Sequence, residues 1–588
     1  MPILTQLLPF VLLFDQSDLA EVFSECFYED LLKHCQDHLL VKLAKHLDFT
    51  PLEAACAAYR HTQGAGAPAT YPIAMLVRCL LVGYLEGLSL RDLEQRLYSD
   101  MLIRWFVGAS AFGRVPDFTT LDRFECWVRT YQHDLYNTTV LKQIDAMFPQ
   151  SSRLNQVGDT YAMRANVAQE DLTHRLRHTV RRLLEQAVQT MPDLLTPIVS
   201  RFPWHKLFGA LEEKLDFWLN KAERRQRLEA TALAAQDLHQ RFFTALQAHP
   251  SAKYPEVRTW VGYLGKILHD EVLILTEPAP DGSLIHLRTT KERRNDPETS
   301  LLIGSATDPE ATFRMHGEEE KDITLGYNVQ VAVSLDGFIH ATQAYTGAVP
   351  DQSGVAPLIA TQIEHQETCP PKLIYDTAAG SGKTRAEVEQ VSGGKTQLVA
   401  RQMPYEKRSE RFGPYDFTLS EDGQSLTCPN GKISTTAYAS GSADGRNFRF
   451  FACQCWRNGE PPKRMKATKK QPGADLSLRC PLWEQCREKN SGPGEMRQVF
   501  ISDYRQQVLQ AADYNQTDIF KCEMKQRPLV ERVIFELTHY NGARRCRGIG
   551  LNYADWQAKM CAVSYNLKLW MRKIGSGRGE ARRIAAVD

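Results

Sequence analysis

Three carboxylates lie in contexts that suit metal-assisted chemistry. Asp159 follows the short strand-like segment Gln156-Val157-Gly158, and Asp376 follows the apolar run Leu373 to Tyr375. Each is therefore expected at the end of a strand. Glu531 lies in an apolar segment that is expected to be helical, where an unpaired carboxylate would be costly to bury. Two carboxylates on strand ends and a third on a helix can hold two divalent ions, which activate a water or a hydroxyl for phosphodiester transfer.

The third carboxylate has competitors. Glu531 is flanked by Val530 and Val533, and a surface position among these apolar residues is the other interpretation. Glu523 and Glu536 are alternative candidates, and their spacing does not reject them. The sequence therefore favours Glu531 and leaves both alternatives open.

The glycine-rich run Gly380 to Thr384 suggests a phosphate-binding loop at first sight. That pattern requires a glycine five residues before Gly382, and Thr377 occupies the position. An acidic residue such as Asp376 beside a phosphate cradle is also electrostatically unfavourable. We therefore interpret the glycines as a turn after the carboxylate, and Lys383 as a candidate contact to a DNA phosphate.

Five cysteines in the segment 404–500 predict a metal-binding module. The candidate ligands of a structural zinc ion are Cys428, Cys453, Cys480 and Cys486, with Cys455 as the alternative to one of them. Thiolates that converge from loop-rich segments can fold a module with little core of its own. Free buried cysteines are the other interpretation, since the spacing lacks a tight Cys-x2-Cys knuckle.

Size and composition set the broad class. At 588 residues the chain is too long for one core, so two to four domains are expected. The formal net charge is +1, so any affinity for nucleic acid must come from local patches. No run is long and apolar enough to span a bilayer, and there is no export signal, which favours a cytosolic protein with reduced thiols.

The elements around the candidate residues predict an α/β architecture. Strand signals at 327–333 and 338–342 are joined by the hairpin turn Asp336-Gly337, and further strands are expected at 272–275, 373–376 and 397–400. A helix is expected at 352–364, so that the sheet has helical cover. The predicted divisions are a helical N-terminal domain (1–150), whose short helices suit either a DNA-binding helix-turn-helix module or an ordinary small bundle, an α/β core (151–168 and 270–403), a helical insertion (169–269), a Cys-rich insertion (404–500), C-terminal helices of the core (501–575) and a disordered tail (576–588).

An arginine run in the helical insertion has two interpretations. Arg175, Arg177, Arg181 and Arg182 lie opposite the apolar face of a predicted helix. A solvated helix face is the favoured interpretation, and contact with a DNA backbone is the alternative.

Several segments resemble the DDE transposases of bacterial insertion sequences, whose catalytic domain has the RNase H-like fold. The segments that carry the resemblance are Ile73 to Val128 (the helical N-terminal domain), Gly158-Asp159-Thr160 with Ala165-Asn166 (the first acidic motif), Gly326 to Gln330 (the central strand) and Tyr375-Asp376 with Ala379-Gly380 (the second acidic motif). The resemblance thus implies an RNase H-like mixed sheet with helical cover.

The third motif of this family is Y-x2-R-x3-E-x6-K. Arg527 and Glu531 have the required separation, whereas Met524 replaces the tyrosine and Thr538 replaces the lysine. The departures remove two side chains that would contact terminal phosphates. The resemblance extends to the C-terminal helical end, and it implies that Arg527, Arg544, Arg545 and Arg547 contact DNA.

The resemblance implies metal-dependent cleavage at the ends of an insertion sequence, followed by strand transfer into target DNA. Asp159, Asp376 and Glu531 would bind two Mg²⁺ or Mn²⁺ ions. The partners would be double-stranded DNA, as terminal inverted repeats and as target, and a second copy of the chain when DNA is bound, in the bacterial nucleoid. A nuclease of the same fold without strand transfer, and a DNA-binding derivative that has lost catalysis, are the alternatives.

Overall fold

The computed structural model describes residues 16–59, 71–209, 213–214, 218–289, 292–293, 302–315, 323–402, 411–440, 444–457, 459, 476–487 and 496–575. The chain divides into two compact units. The first comprises Met1–Cys369 with Pro528–Asp588, and the second comprises Pro370–Arg527. The predicted disordered tail at 576–588 lies outside the described residues.

The N-terminal part of the first unit is helical, as the sequence predicts. Ser89 begins one helix with a capping box to Asp92, and Asp117 accepts a hydrogen bond from the Thr120 amide at the start of another. The described helices are α1 (Gln16–His34), α2 (Leu39–His46), α3 (Thr50–Cys56), α4 (Ile73–Leu85), α5 (Leu90–Ser99), α6 (Met101–Val107), α7 (Phe118–Tyr131) and α8 (Leu135–Met147).

The sheet of the first unit is built on one long buried strand. Its strands are β1 (Gln156–Arg164), β4 (Thr312–Met315), β5 (Ile323–Ser334) and β6 (Ile339–Thr346). All three neighbours run antiparallel to β5: β1 pairs along one edge, while β4 and β6 share the other. Gly326 is required where β5 meets β1, because a Cβ there would lie 2.1 Å from the Met163 carbonyl oxygen. The predicted hairpin at Gly337 is confirmed, with a φ of 100°.

Three helices cover this sheet. They are α14 (Val355–Gln366), α19 (Pro528–Tyr540) and α20 (Leu551–Gly575). Helix α20 packs on β6 and is buried along most of its length, and α19 packs on β1 and β5. Residues near the end of the chain thereby cover the strand that carries Asp159.

Along the chain, a bundle of helices is inserted between β1 and the remaining strands of the sheet. It contains α9 (Leu172–Thr190), α10 (Pro192–Val199), α11 (Trp204–Phe208), α12 (Lys221–Gln247) and α13 (Pro255–Glu271), followed by the hairpin of β2 (Val272–Ile274) and β3 (Ile285–Leu287). The bundle has a core of its own, centred on residues such as Leu183, Leu238 and Leu264. The solvated-face interpretation is wrong for Arg175, which is buried and lies 2.9 Å from Glu271.

The second unit holds a parallel strand pair and its helices. Strands β7 (Lys372–Ile374) and β8 (Gln397–Val399) are connected by α15 (Gly382–Ser392), the parallel arrangement that requires a crossover helix. Arg385 on α15 donates hydrogen bonds to the carbonyl oxygens of Leu398 and Ala400, which fixes the helix to β8. Helices α17 (Arg505–Asn515) and α18 (Asp518–Met524) complete this part.

The Cys-rich segment forms two small antiparallel sheets, which the sequence did not predict. One contains β9 (Thr418–Leu419), β10 (Leu426–Thr427) and β11 (Ile433–Ser434); the other contains β12 (Ala437–Ala439), β13 (Gly445–Phe450) and β14 (Arg497–Ser502). A short helix, α16 (Trp483–Cys486), lies between β13 and β14 in the chain. The shared core is small: Phe417, Leu426, Phe448, Phe450, Val499 and Ile501.

The predicted α/β class with a helical N-terminal region is confirmed, since antiparallel and parallel strands both occur beneath helices. Among the described helices, none taken singly has the length and apolar character to cross a membrane. The bent pair Ile73–Leu85 and Leu90–Ser99 passes that test only when joined.

Candidate active site

Asp159 lies in the middle of β1 and is half-buried. Its Oδ1 atom accepts a hydrogen bond of 2.8 Å from the Thr160 amide. Because side chains alternate along a strand, Thr160 faces the other side of the sheet, where its hydroxyl accepts a hydrogen bond of 2.7 Å from Arg314. The expected position at a strand end is wrong: the carboxylate projects from a strand that continues to Arg164.

Glu531 lies in the first turn of α19 and is exposed. The apolar neighbours that suggested a buried carboxylate, Val530 and Val533, point into the core instead. The segment after α19 is bound to β1: the Arg164 amide donates to the Arg544 carbonyl (3.0 Å), and the Cys546 amide donates to the Arg164 carbonyl (2.8 Å). These bonds and the packing of α19 on β1 place the helix of Glu531 beside the strand of Asp159.

Asp376 belongs to the second unit and follows β7, as the sequence predicts. It is half-buried, and its Oδ1 atom accepts a hydrogen bond of 3.0 Å from the Ala378 amide, which caps a short 3-10 turn. The carboxylate is therefore held at the carboxyl end of a parallel strand pair, where functional side chains of open α/β sheets commonly lie.

The glycines after Asp376 have a packing role. A Cβ on Gly380 would lie 2.3 Å from the Arg401 carbonyl oxygen, and one on Gly382 would lie 2.8 Å from the Tyr504 Cβ. Lys383, the predicted phosphate contact, forms an exposed ion pair of 3.1 Å with Asp444. The glycine run thus allows α15 to approach α17.

The two alternatives to Glu531 have other partners. Glu523 is buried, accepts a hydrogen bond of 2.6 Å from the Tyr514 hydroxyl and lies 2.5 Å from Lys372. Glu536 lies 3.3 Å from Arg572. A buried carboxylate already paired with a cation is a poor metal ligand, which counts against Glu523 most strongly.

The predicted DNA-contacting arginines differ in exposure. Arg544 and Arg545 are exposed, and Arg527 is half-buried. Arg547 donates a hydrogen bond of 2.9 Å to the Leu88 carbonyl oxygen, and its guanidinium lies 4.7 Å from the centre of the Tyr84 ring. Arg547 therefore attaches the segment after α19 to the N-terminal helices.

Four cysteines of the second unit surround one small cavity of about 30 Å³. Cys428, Cys455, Cys480 and Cys486 line it, and burial raises the pKa of the Cys480 and Cys486 thiols. Cys453 is exposed and does not line this cavity. Over the part of the chain that the structure describes, no group of three or more His, Cys, Asp or Glu residues is arranged to hold a metal ion.

Comparison with known proteins gives two matches to family models. Residues 28–125 match a transposase domain (DUF772), and residues 463–570 match a transposase DDE domain. The second match contains Arg527 and Glu531 and most of α20. No curated protein and no solved structure matches the chain significantly. Together the two matches, which cover separate parts of the chain, support a DDE transposase of an insertion sequence.

Proposed function

We propose that this transposase cleaves DNA at the ends of its insertion sequence and joins the freed 3′ ends to target DNA. Asp159, Asp376 and Glu531 are the proposed catalytic carboxylates. The packing of α19 against β1 carries the proposal, because it brings the helix of Glu531 beside the strand of Asp159. The match of the DDE domain over α19 supports the same assignment.

The donor set suits two Mg²⁺ or Mn²⁺ ions. Carboxylate oxygens are the ligands that these hard cations prefer, and such ions, when bound, lower the pKa of an attacking water and stabilise the leaving oxygen. Asp159 is braced by the Thr160 amide and Asp376 by the Ala378 amide, so both carboxylates are held in position by their own backbone. Glu531 is exposed and therefore accessible to a DNA phosphate.

The proposed core has the RNase H-like fold and comprises 151–168, 270–403 and 501–575, with the helical (169–269) and Cys-rich (404–500) segments as insertions. The antiparallel strands β4, β5, β6 and β1 and the helical cover of α14, α19 and α20 support this assignment. The N-terminal domain, 1–150, would hold the DNA ends.

Four cations are the proposed contacts to the DNA backbone. Arg544 and Arg545 lie in the segment attached to β1, and their side chains are exposed. Arg527 and Lys383 complete the proposed set. These contacts fix the register of DNA on the protein without reading its sequence. Joining two ends requires two copies of the chain on DNA, in the bacterial nucleoid.

A structural zinc ion is proposed for the Cys-rich module, held by Cys428, Cys455, Cys480 and Cys486. The shared cavity supports this set. The set contains Cys455 in place of Cys453, which the sequence had favoured. Thiolates suit tetrahedral Zn²⁺, and a module with so small a core gains stability from it. Metal analysis of purified protein tests the set: Cys455→Ser should lose zinc and Cys453→Ser should keep it. Equal zinc content in the two variants would contradict it.

Cleavage of end-containing DNA with Mg²⁺ tests the third carboxylate. Glu531→Gln should abolish cleavage while the protein stays folded, because the amide keeps the shape and removes the charge. Glu364→Gln is the matched control, since Glu364 is exposed on α14 of the same unit. Unchanged cleavage by Glu531→Gln would reject the assignment, and loss in Glu536→Gln instead would move it to Glu536.

Strand transfer separates the proposal from its alternatives. Pre-cleaved ends supplied with a target plasmid should yield joined products. A nuclease would cut without joining, and an inactive DNA-binding derivative would do neither.

A further inference from the structure

A cleft of about 950 Å³ opens in the first unit between α19, α20 and the start of α2. The residues that define this α19–α20 cleft are Lys42, Arg532, Phe535, Tyr540, Lys568 and Arg572. Arg532 directly follows Glu531, and Phe535 lies one helical turn after it. Since positions four apart share a helix face, the cleft adjoins the proposed catalytic carboxylate.

The cleft has more cations than its carboxylates can pair. Asp37 lies 3.1 Å from Lys42, and Glu536 lies 3.3 Å from Arg572. Among the described residues, no carboxylate lies within 4.0 Å of Lys568 or of Arg532. The cleft therefore carries excess positive charge that attracts an anion.

The carboxylates of Glu86 and Glu536 act on Lys568 only at longer range. Lys568 is half-buried, and its ammonium donates a hydrogen bond of 2.9 Å to the neutral side chain of Asn541. Burial lowers the pKa of Lys568 because the charged form loses water there. An anion in the cleft would replace part of the lost hydration, and a phosphate oxygen has the required charge and hydrogen-bonding capacity.

Two partly exposed aromatic rings lie at the same opening. Phe535 is 50% exposed and Tyr540 is 69% exposed. Phe535 stacks on His539 with ring centres 3.9 Å apart, and the Tyr540 ring meets Phe535 edge-on at 6.0 Å. Exposed rings beside cations are the combination with which proteins bind unpaired nucleotides, since every base offers a flat face for stacking.

We propose that the α19–α20 cleft binds unpaired nucleotides of a DNA strand next to the active site, with a phosphate on Lys568 and Arg532 and a base against Phe535 or Tyr540. The proposal rests on the proposed function only in taking DNA as the substrate. Paired DNA would leave the rings uncovered, because its bases are stacked within the duplex.

The test is binding of full-length protein to labelled DNA in EDTA, followed by fluorescence anisotropy. The two probes are a blunt duplex and the same duplex with a short single-stranded thymidine tail. Wild type should prefer the tailed probe. Removal of both rings, Phe535→Ala together with Tyr540→Ala, should weaken binding of the tailed probe by about tenfold, as expected for the loss of one stacked base, and leave the blunt duplex unchanged.

The charge contact has its own readout. Arg532→Gln and Lys568→Gln should each lower the salt dependence of tailed-probe binding by about 0.7 in the logarithmic slope, as expected for one lost phosphate contact on a single strand. Lys568→Arg should keep the slope, which separates a lost charge from a disturbed fold. Lys142→Gln is the matched control, because Lys142 is exposed on α8 outside the cleft.

Equal affinity of wild type for the two probes would overturn the proposal. It would also be overturned if Lys568→Gln and Arg532→Gln showed the same salt dependence of tailed-probe binding as Lys142→Gln. Displacement of the tailed probe by polyglutamate as effectively as by thymidine oligonucleotide would also contradict the base contact. Cleavage with Mg²⁺ is measured separately. Cleavage without tail preference rejects the cleft alone, whereas tail preference without cleavage rejects the proposed function alone.

Discussion

Replacement of Gly382 by alanine tests whether the glycine run beside Asp376 serves packing. The added methyl group would lie 2.8 Å from the Tyr504 Cβ and from the Val508 Cγ2, both on or next to α17. Neither neighbour is the far end of a flexible side chain, so α15 must move away from α17 to accept it. Such overpacking costs about 1–3 kcal/mol.

The intrinsic helix preference of alanine opposes this cost. Alanine is favoured over glycine by about 1 kcal/mol in a helix interior, and by less at the first helical residue, which Gly382 occupies. We therefore expect Gly382→Ala to destabilise the second unit by about 1–2 kcal/mol. For a unit of this size, each kcal/mol lowers the melting temperature by about 2–4 °C.

Gly262 offers the matched control. It lies within α13, and a Cβ there would meet no atom within 4 Å. Gly262→Ala should therefore stabilise the first unit by about 1 kcal/mol. Calorimetry of the full chain, supported by urea titration, measures both changes. A Gly382→Ala protein that unfolds at the wild-type temperature would refute the close contact between α15 and α17.

Three further predictions follow from individual contacts. Arg175→Met takes the nearest cation from Glu271, whose side chain is only 14% exposed, so it should destabilise the helical insertion by about 3–5 kcal/mol in urea titration; a change below about 1 kcal/mol would contradict the importance of this pair. Asp117→Ala removes a helix cap and should cost about 1 kcal/mol at neutral pH. Hydrogen bonds from Thr119 and Thr120 hold the pKa of Asp117 at about 2, below its unfolded value. The cost of Asp117→Ala is therefore present above the unfolded pKa and should vanish as the pH falls through about 2. A cost that persists at that pH would contradict the charge dependence of the cap. Lys383→Ala should bind ATP no differently from wild type in calorimetry, whereas loss of measurable ATP binding would restore the phosphate-loop interpretation.

Local patterns predicted strands of the proposed catalytic core. The strand β5, its hairpin to β6 and the strand before Asp376 follow from neighbouring residues, and each is confirmed. The spacing of apolar residues likewise predicted the helix around Glu531. These features depend on periodicity and turn preferences, which act over a few residues.

Contacts between distant segments were not predictable in the same way. Arg175 lies in an arginine run, and its burial depends on Glu271, nearly a hundred residues later. Cys455 rather than Cys453 lines the cysteine cavity, although both lie in the same short 3-10 turn after β13, so their spacing does not distinguish them. The small sheets of the Cys-rich module have strands of only two or three residues in most cases, too short for a period to appear.

The most direct test of the central claim is a change of metal preference in cleavage of end-containing DNA. Asp159→Cys and Asp376→Cys each replace a hard oxygen ligand by a thiolate, which Mg²⁺ binds poorly and softer Mn²⁺ accepts better. We predict that both variants are inactive with Mg²⁺ and regain cleavage with Mn²⁺, while wild type is active with either ion. Full activity of either variant with Mg²⁺ would contradict the assignment of that carboxylate as a metal ligand.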